Sequence, residues 1–309
     1  MKKDTFIYSF EVTGLERKQV ATIIAEALGE QVNYAGPPSF SYQVGSWTID
    51  RNCLVTTPEL ATIELEPLRK VLDALKNARV LAKGDGTVTF SMDGHNGASL
   101  RNVVNLIWSK QNLLKKSLGR QDDILTADFV FAVNDVPIDT IEDFTGVINN
   151  ARETGKIEGT GDLTFDIVNQ TVSFGFLPDT LDCDEVIALI TLCQKINEQA
   201  KLQKFSSTKQ KVTGNDKYSL RIWLIRLGFV GSEYKMDRKI LLSKLTGDGA
   251  AFRIVETKIV KEIEKLRADL VRIQEGKAYT DPEVIRASQE LDRALDVYQA
   301  LMLKKTDKE

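Results

Sequence analysis

The sequence has little of the material from which metal sites and nucleophilic active sites are usually built. Its 309 residues include only three cysteines and one histidine, His95. The cysteines, Cys53, Cys183 and Cys193, are widely spaced and form no C-x-x-C pair, so we expect no structural zinc and no other metal site. A single imidazole also excludes most serine and cysteine hydrolases, because their nucleophiles need a nearby base. We interpret His95, within the glycine-rich stretch SMDGHNGAS, as part of a solvated loop.

Long apolar runs and phosphate-binding loops are also missing from the sequence. No stretch approaches the roughly eighteen apolar residues of a membrane span, and the opening TFIYSFEV alternates in polarity, unlike a secretory signal. We therefore expect a cytoplasmic protein without membrane contact. The glycine clusters at 84–86 and 247–249 match neither G-x-G-x-x-G nor G-x-x-x-x-G-K. We interpret the first as a hairpin turn and the second as a linker.

Charge is nearly balanced overall but unevenly distributed along the chain. The composition, with 42% apolar and 28% charged residues and a net charge of −3, is that of a globular protein. From Gln121 to Ile190 there are fifteen acids and two bases, and from Lys201 to Lys244 there are eleven bases and three acids. Either the two regions neutralise each other in the fold, or each presents a charged face to a partner.

A repeated arrangement of short strands, a turn and an amphipathic helix runs through residues 1–200. In the first unit Phe6, Tyr8 and Phe10 alternate as in a strand, and Thr13 is the expected cap of the helix that follows. Later units place a hairpin over 79–92 that turns at 84–86, a strand at FVFAV (129–133) and a hairpin that turns at Asn169-Gln170. These units predict an α+β domain over 1–200, with an antiparallel sheet and helices on one face.

Residues 201–250 form a basic segment that predicts two helices joined by GFVGSE. One interpretation is a helix-turn-helix that contacts a nucleic-acid backbone; the other is a helical hairpin that closes the sheet and shows its basic side to water. Asn, Gln and Ser side chains, which read base edges, are scarce on the second helix and favour the simple hairpin. The candidate basic face consists of Arg221, Arg226, Lys235, Arg238, Lys239 and Lys244.

The stretch LRIWLIRLGFVGSEYKMDRKILLSKLTGDGAAFR carries a resemblance that extends over residues 1–253. These residues resemble a family of virulence-related proteins from mobile elements and phages of Gram-positive bacteria. The resemblance implies a setting, a mobile element in a Firmicute-like host, and implies no reaction.

The C-terminal segment, residues 254–305, predicts an α-helical region that ends in a two-helix antiparallel coiled-coil hairpin. Apolar residues step by four and three along its first helix, at Ile259, Ile263, Leu266, Leu270 and Ile273. Thr280 or Asp281 is the expected cap of the second helix, with Pro282 in its first turn and Glu283 reaching back toward the cap. The seam of the second helix is expected at Val284, Ser288, Leu291, Leu295, Tyr298 and Met302.

The two stretches EIEKLRADLVRI and DPEVIRASQELDRALDVY resemble the Spo0E-like family of aspartyl-phosphate phosphatases. The family motif Ser-Gln-Glu-Leu-Asp is complete here as Ser288, Gln289, Glu290, Leu291 and Asp292. The resemblance implies that the second helix docks the receiver domain of a phosphorylated response regulator and that Gln289 and Asp292 act in hydrolysis. Ser288, Glu290 and Leu291 would support the motif. No cofactor is expected in this chain, since Mg²⁺ would be bound by the receiver.

Three functions remain open from the sequence. The first is an element-encoded phosphatase that discharges a response regulator of sporulation. The second is a non-catalytic inhibitor of a host protein, for example a defence complex, which uses the acidic 121–190 surface and the hairpin for interaction or self-association. The third is nucleic-acid binding through residues 201–244, with an affinity that falls steeply with salt.

Overall fold

The computed structural model describes residues 5–155, 162–210, 214–247, 251–275, 277 and 281–306. Within these ranges the side chains of 251–258, 260 and 298–306 are not described. Contacts between residues divide the chain into two compact units, Met1–Thr246 and Gly247–Glu309. No helix among the described residues is long and apolar enough to cross a membrane.

The first unit contains an antiparallel sheet and eight helices within its described ranges. The strands are β1 (Thr5–Thr13), β2 (Val32–Tyr34), β3 (Tyr42–Val44), β4 (Trp47–Ile49), β5 (Leu54–Thr56), β6 (Leu60–Ala61), β7 (Leu81–Ser91), β8 (Leu163–Asp166) and β9 (Thr171–Leu177). The helices are α1 (Arg17–Leu28), α2 (Glu66–Asn77), α3 (Gly97–Leu118), α4 (Ala127–Asn134), α5 (Ile141–Glu153), α6 (Cys183–Leu202), α7 (Asp216–Arg226) and α8 (Lys235–Leu241).

The strands pair in the order β2-β3-β4-β5-β1-β7-β9-β8, and β6 adds to one end of β1. Burial alternates along β1, where Phe6, Tyr8, Phe10 and Val12 are buried and the intervening side chains are more exposed. This alternation is expected of a sheet that packs helices on one face. Helix α3 packs against α5 and α6, and α6 also contacts α8. The predicted α+β class is confirmed.

Residues 84–86 do not form the turn of a hairpin, so that prediction is wrong. They lie inside the single strand β7, whose two halves both pair with β1: Thr87 lies opposite Ser9, and Lys83 lies opposite Glu11. The additional residues form a bulge, and Gly84 takes a positive φ of 69° within it. The hairpins on either side of Gly45 and of Asn169-Gln170 are confirmed.

A strand prediction and a helix-cap prediction also need correction. The apolar run 129–133 is part of α4 and not a strand, and the hydroxyl of Thr126 caps that helix by accepting from the amide of Phe129. Strand β1 continues to Thr13, so the cap of α1 is Glu16, which forms a reciprocal capping box with Gln19. Short apolar runs and neighbouring cap residues are locally ambiguous. Pairing of Thr13 with Leu81 of β7 decides where α1 can begin, whereas residues 129–133 belong to a helix that packs against α3 and α5.

The second unit contains helices α9 (Ala251–Gln274) and α10 (Pro282–Thr306), which pack against each other as a hairpin. Asp281 begins α10 by accepting a hydrogen bond from the amide of Glu283 at 2.9 Å. Thr280, the alternative cap, lies outside the described residues. The carboxylate of Glu283 bonds to Lys277 across the connection between the helices. The predicted two-helix hairpin is confirmed.

Candidate functional site

The seam of the C-terminal hairpin is built from apolar residues at the predicted spacing. Ile263 on α9 is 5% exposed and Val284 on α10 is 4% exposed. Ala287, which the sequence pattern did not single out, is also buried. The remaining described seam positions are half-buried, namely Ile259, Leu266, Leu270, Ile273, Ser288, Leu291 and Leu295. Tyr298 and Met302, predicted to continue the seam, have side chains outside the described set.

The motif residues divide between this seam and the exposed face of α10. Ser288 and Leu291 are half-buried, whereas Gln289, Glu290 and Asp292 are exposed. Gln289 and Asp292 are three positions apart, so their side chains are neighbours on the helix surface. Within the described part of the chain, neither side chain has a hydrogen-bond or ion-pair partner. Helix α10 therefore presents an amide and a carboxylate side by side on its exposed face.

This segment matches a known family. Residues 259–299 match the family model described as Spo0E-like sporulation regulatory protein. The matched residues cover the larger part of α9 and of α10 and the connection between them, and they include the whole motif from Ser288 to Asp292. The resemblance predicted for the hairpin is thus confirmed. A search of curated proteins finds no match to the chain. The resemblance of residues 1–253 to virulence-related proteins stays a prediction.

The candidate basic face of residues 221–244 is partly used by the fold itself. The guanidinium of Arg238 donates to the carbonyl oxygens of Phe229 at 2.7 Å and Gly231 at 3.0 Å, and so holds the connection between α7 and α8. Lys244 contacts Glu185 at 3.2 Å and the carbonyl of Leu118 at 3.3 Å. The other four members of the face, Arg221, Arg226, Lys235 and Lys239, are exposed. Nucleic-acid binding here stays a prediction.

The acidic segment of residues 121–190 leaves a group of carboxylates exposed. The pair between Glu185 and Lys244 described above joins the acidic segment to the basic one, and α6 also packs against α8. Arg120, outside both segments, holds Asp162 at 2.7 Å. On α4, α5 and their connections, every Asp and Glu between 122 and 153 is exposed. Phe131, on α4, is 66% exposed among them. These residues therefore leave an acidic surface with an apolar side chain in it, which we name the α4–α5 surface.

His95 is buried, so its interpretation as a solvated loop residue is wrong. It is 8% exposed, with Nδ1 2.9 Å from Ser99 Oγ and Nε2 2.9 Å from Asn197 Oδ1. Burial lowers the pKa of His95 to about 4, and the hydrogen bond to Asn197 only partly offsets this effect. A neutral imidazole with both nitrogens engaged connects the start of α3 to α6, which is a structural role.

The polar connector after α6 is held in place by side chains of α3. The amide of Asn102 donates to the carbonyl of Gln203 at 2.7 Å, and that of Asn105 donates to the carbonyl of Ser206 at 3.0 Å. Further along, Gln210 donates to the carbonyl of Trp108 at 3.0 Å. The sequence predicted this connector only as aperiodic. The signal that could have revealed its attachment is the i, i+3 spacing of two asparagines on an otherwise apolar helix face.

The cysteines do not form a reactive site. Burial raises the pKa of the Cys183 thiol to about 11 and that of the fully buried Cys193 thiol further. Within the described ranges, no group of three or more His, Cys, Asp or Glu side chains is placed to hold a metal ion.

Proposed function

We propose that the C-terminal hairpin docks the phosphorylated receiver domain of a sporulation response regulator and promotes hydrolysis of its aspartyl phosphate. The observation that carries the proposal is the exposure of Gln289 and Asp292 on the helix that matches the Spo0E-like family. The larger unit would then regulate or localise this activity. If the resemblance of residues 1–253 to mobile-element proteins holds, the element would use the hairpin to delay sporulation of its host.

The reaction needs little from the hairpin beyond positioning. Water attacks the phosphorus atom, the bond between phosphorus and the aspartate oxygen breaks, and the products are inorganic phosphate and a free receiver carboxylate. The receiver supplies Mg²⁺ and the groups that manage the phosphoryl charge. The missing element is a water held in line with the bond that breaks. An amide on a fixed helix can provide that constraint.

Each motif residue has a role that follows from its position. The Oε1 atom of Gln289 accepts a hydrogen bond from the attacking water and orients it, as a glutamine does in some GTPases. Asp292, one turn further along α10, accepts the proton that the water loses or anchors the docked receiver. Ser288 and Leu291 lie half-buried in the seam, where they fix the rotation of α10 and hence the direction of Gln289. Glu290 is exposed and adds charge beside the motif.

The test follows loss of label from a phosphorylated receiver in the presence of the full chain. Wild-type protein should accelerate the loss, Gln289→Ala should abolish the acceleration, and Asp292→Ala should reduce or abolish it. Val271→Ala is the matched control, because Val271 is 63% exposed on the other helix of the hairpin. Acceleration that survives Gln289→Ala would contradict the proposed role of the amide.

A second candidate function is favoured by the α4–α5 surface. Exposed carboxylates around an exposed Phe131 suit a basic protein partner, and a chain of this kind could inhibit a host protein without chemistry. Capture of host proteins with the wild-type chain should then yield a basic partner. The triple variant Asp128→Asn, Asp135→Asn, Glu142→Gln should lose that partner, while Gln289→Ala should keep it. A partner that both variants retain equally would argue against this surface.

A further inference from the structure

The face of α10 that carries Gln289 and Asp292 extends by one residue at each end. An α-helix turns about 100° per residue, so positions 285, 289, 292 and 296 fall within a sector of about 60°. These positions are occupied by Ile285, Gln289, Asp292 and Asp296, and all four side chains are exposed. With a rise of about 1.5 Å per residue, the stripe is about 16 Å long. We name it the 285–296 stripe.

Ile285 is an exposed apolar side chain at the start of this stripe. It is 43% exposed, one helical turn before Gln289. The other large exposed hydrophobic side chain described on α10 is Val297, which is 55% exposed but rotated by about 120° from Ile285. The helical register therefore places Ile285 beside the motif and Val297 on a different side of α10.

Asp296 lies at the opposite end of the stripe, four residues beyond Asp292. Two carboxylates at this spacing repel each other. Neither has a cationic partner among the described side chains. A cation supplied by a docked protein would relieve this repulsion. The stripe is thus apolar at its first residue, carries the amide in the middle and is acidic at its last residues.

We propose that Ile285 and Asp296 are docking residues that bracket Gln289 and fix the orientation of the receiver along α10. This inference rests on the proposed function of the same hairpin. Ile285 packs on an apolar patch of the receiver, and Asp296 pairs with a lysine or arginine at the other side of its phosphorylation site. Neither residue touches the reacting atoms. Together they hold the receiver on the 285–296 stripe, and they select receivers that carry this combination of patches. Either contact alone keeps the bound receiver in the same orientation, so loss of one weakens binding without displacing the phosphoryl group from Gln289.

The test separates docking from chemistry by steady-state kinetics with the full chain. Ile285→Ala should raise KM for the phosphorylated receiver about tenfold and leave kcat unchanged, because a buried interface side chain contributes binding energy. Asp296→Asn should raise KM by a smaller factor, and its effect should diminish as salt increases. Val297→Ala and Val271→Ala are the matched controls and should leave KM unchanged. An equal rise in KM for Val297→Ala would overturn the assignment, as would no rise for Ile285→Ala.

A binding titration keeps this inference distinguishable from the proposed reaction. The probe is the receiver carrying beryllofluoride on its aspartate, which imitates the phosphoryl group without turning over. If the receiver binds and Ile285→Ala weakens binding while no hydrolysis occurs, the docking assignment stands and the catalytic proposal fails. If Gln289→Ala stops hydrolysis but Ile285→Ala binds like wild type, the docking assignment fails and the catalytic proposal stands. A receiver that neither binds nor loses phosphate contradicts both.

Discussion

Lowering the pH from about 7.5 to about 4 should destabilise the unit of residues 1–246 by about 3 kcal/mol through His95 alone. The folded state keeps His95 neutral down to a pKa of about 4, whereas the ordinary histidine pKa is 6.5. Between these values the unfolded chain binds a proton that the folded chain does not. The contribution is therefore fully present above pH 6.5 and is lost as the pH falls toward 4. A shift of about 2.5 pKa units corresponds to about 3 kcal/mol.

The matched variant is His95→Gln, whose side-chain amide can still donate to Asn197 but does not titrate. Urea unfolding followed by tryptophan fluorescence reports this unit, because all three tryptophans lie at positions 47, 108 and 223. The carboxylates titrate alike in both proteins, so the difference between their free energies of unfolding isolates the imidazole. As the pH falls over this range, the free energy of unfolding of the wild type should decrease by about 3 kcal/mol more than that of His95→Gln. A difference that is constant with pH would refute the buried neutral histidine.

Four further substitutions test the packing. Gly97→Ala should lower the free energy of unfolding by about 2 kcal/mol, because the new Cβ would overlap the backbone of the segment before α5. Gly146→Ala is the control. It has open space around it and should raise the free energy of unfolding by up to about 1 kcal/mol. Both are measured by urea unfolding, and equal effects would contradict the close approach. Asn105→Ala should cost about 1–3 kcal/mol and release the connector after α6, seen as faster limited proteolysis near residue 206. Val284→Ala should weaken the hairpin seam by about 2 kcal/mol, because Val284 is buried there. The effect should appear as faster hydrogen exchange in α9 and α10, and unchanged exchange would contradict the burial of Val284.

The sequence predicted best what is decided locally. The C-terminal hairpin depends on a spacing of apolar residues by four and three and on a cap at Asp281, so its helices could be predicted from the sequence pattern. Its motif was identified from the resemblance to the Spo0E-like family. The two hairpins on either side of Gly45 and of Asn169-Gln170 depend on short turns between neighbouring strands. Each single helix or pair of neighbouring strands among these features is specified by residues close to one another in the chain, and the structure has them where they were expected.

The failures share a dependence on distant residues. Glycines at 84 and 86 suit a hairpin turn and a bulge equally well, and pairing with β1, some seventy residues earlier, selects the bulge. His95 looks solvated in its glycine-rich neighbourhood, yet Asn197 closes over it from α6. Whether a polar residue is buried depends on the packed fold, so a short-range sequence pattern cannot predict it. The same limit applies to the 285–296 stripe proposed for docking. Its residues follow from the helical register, but the partner that would bind it cannot be derived from a local pattern.

The most direct test of the proposed function is a multiple-turnover assay with the full chain at about one-tenth the concentration of a phosphorylated sporulation receiver. A phosphatase discharges several receivers per chain, so label loss should proceed to completion with wild type and stay at the spontaneous rate with Gln289→Ala. Discharge that stops at one receiver per chain, or wild-type and variant rates that coincide, would contradict catalysis by the hairpin.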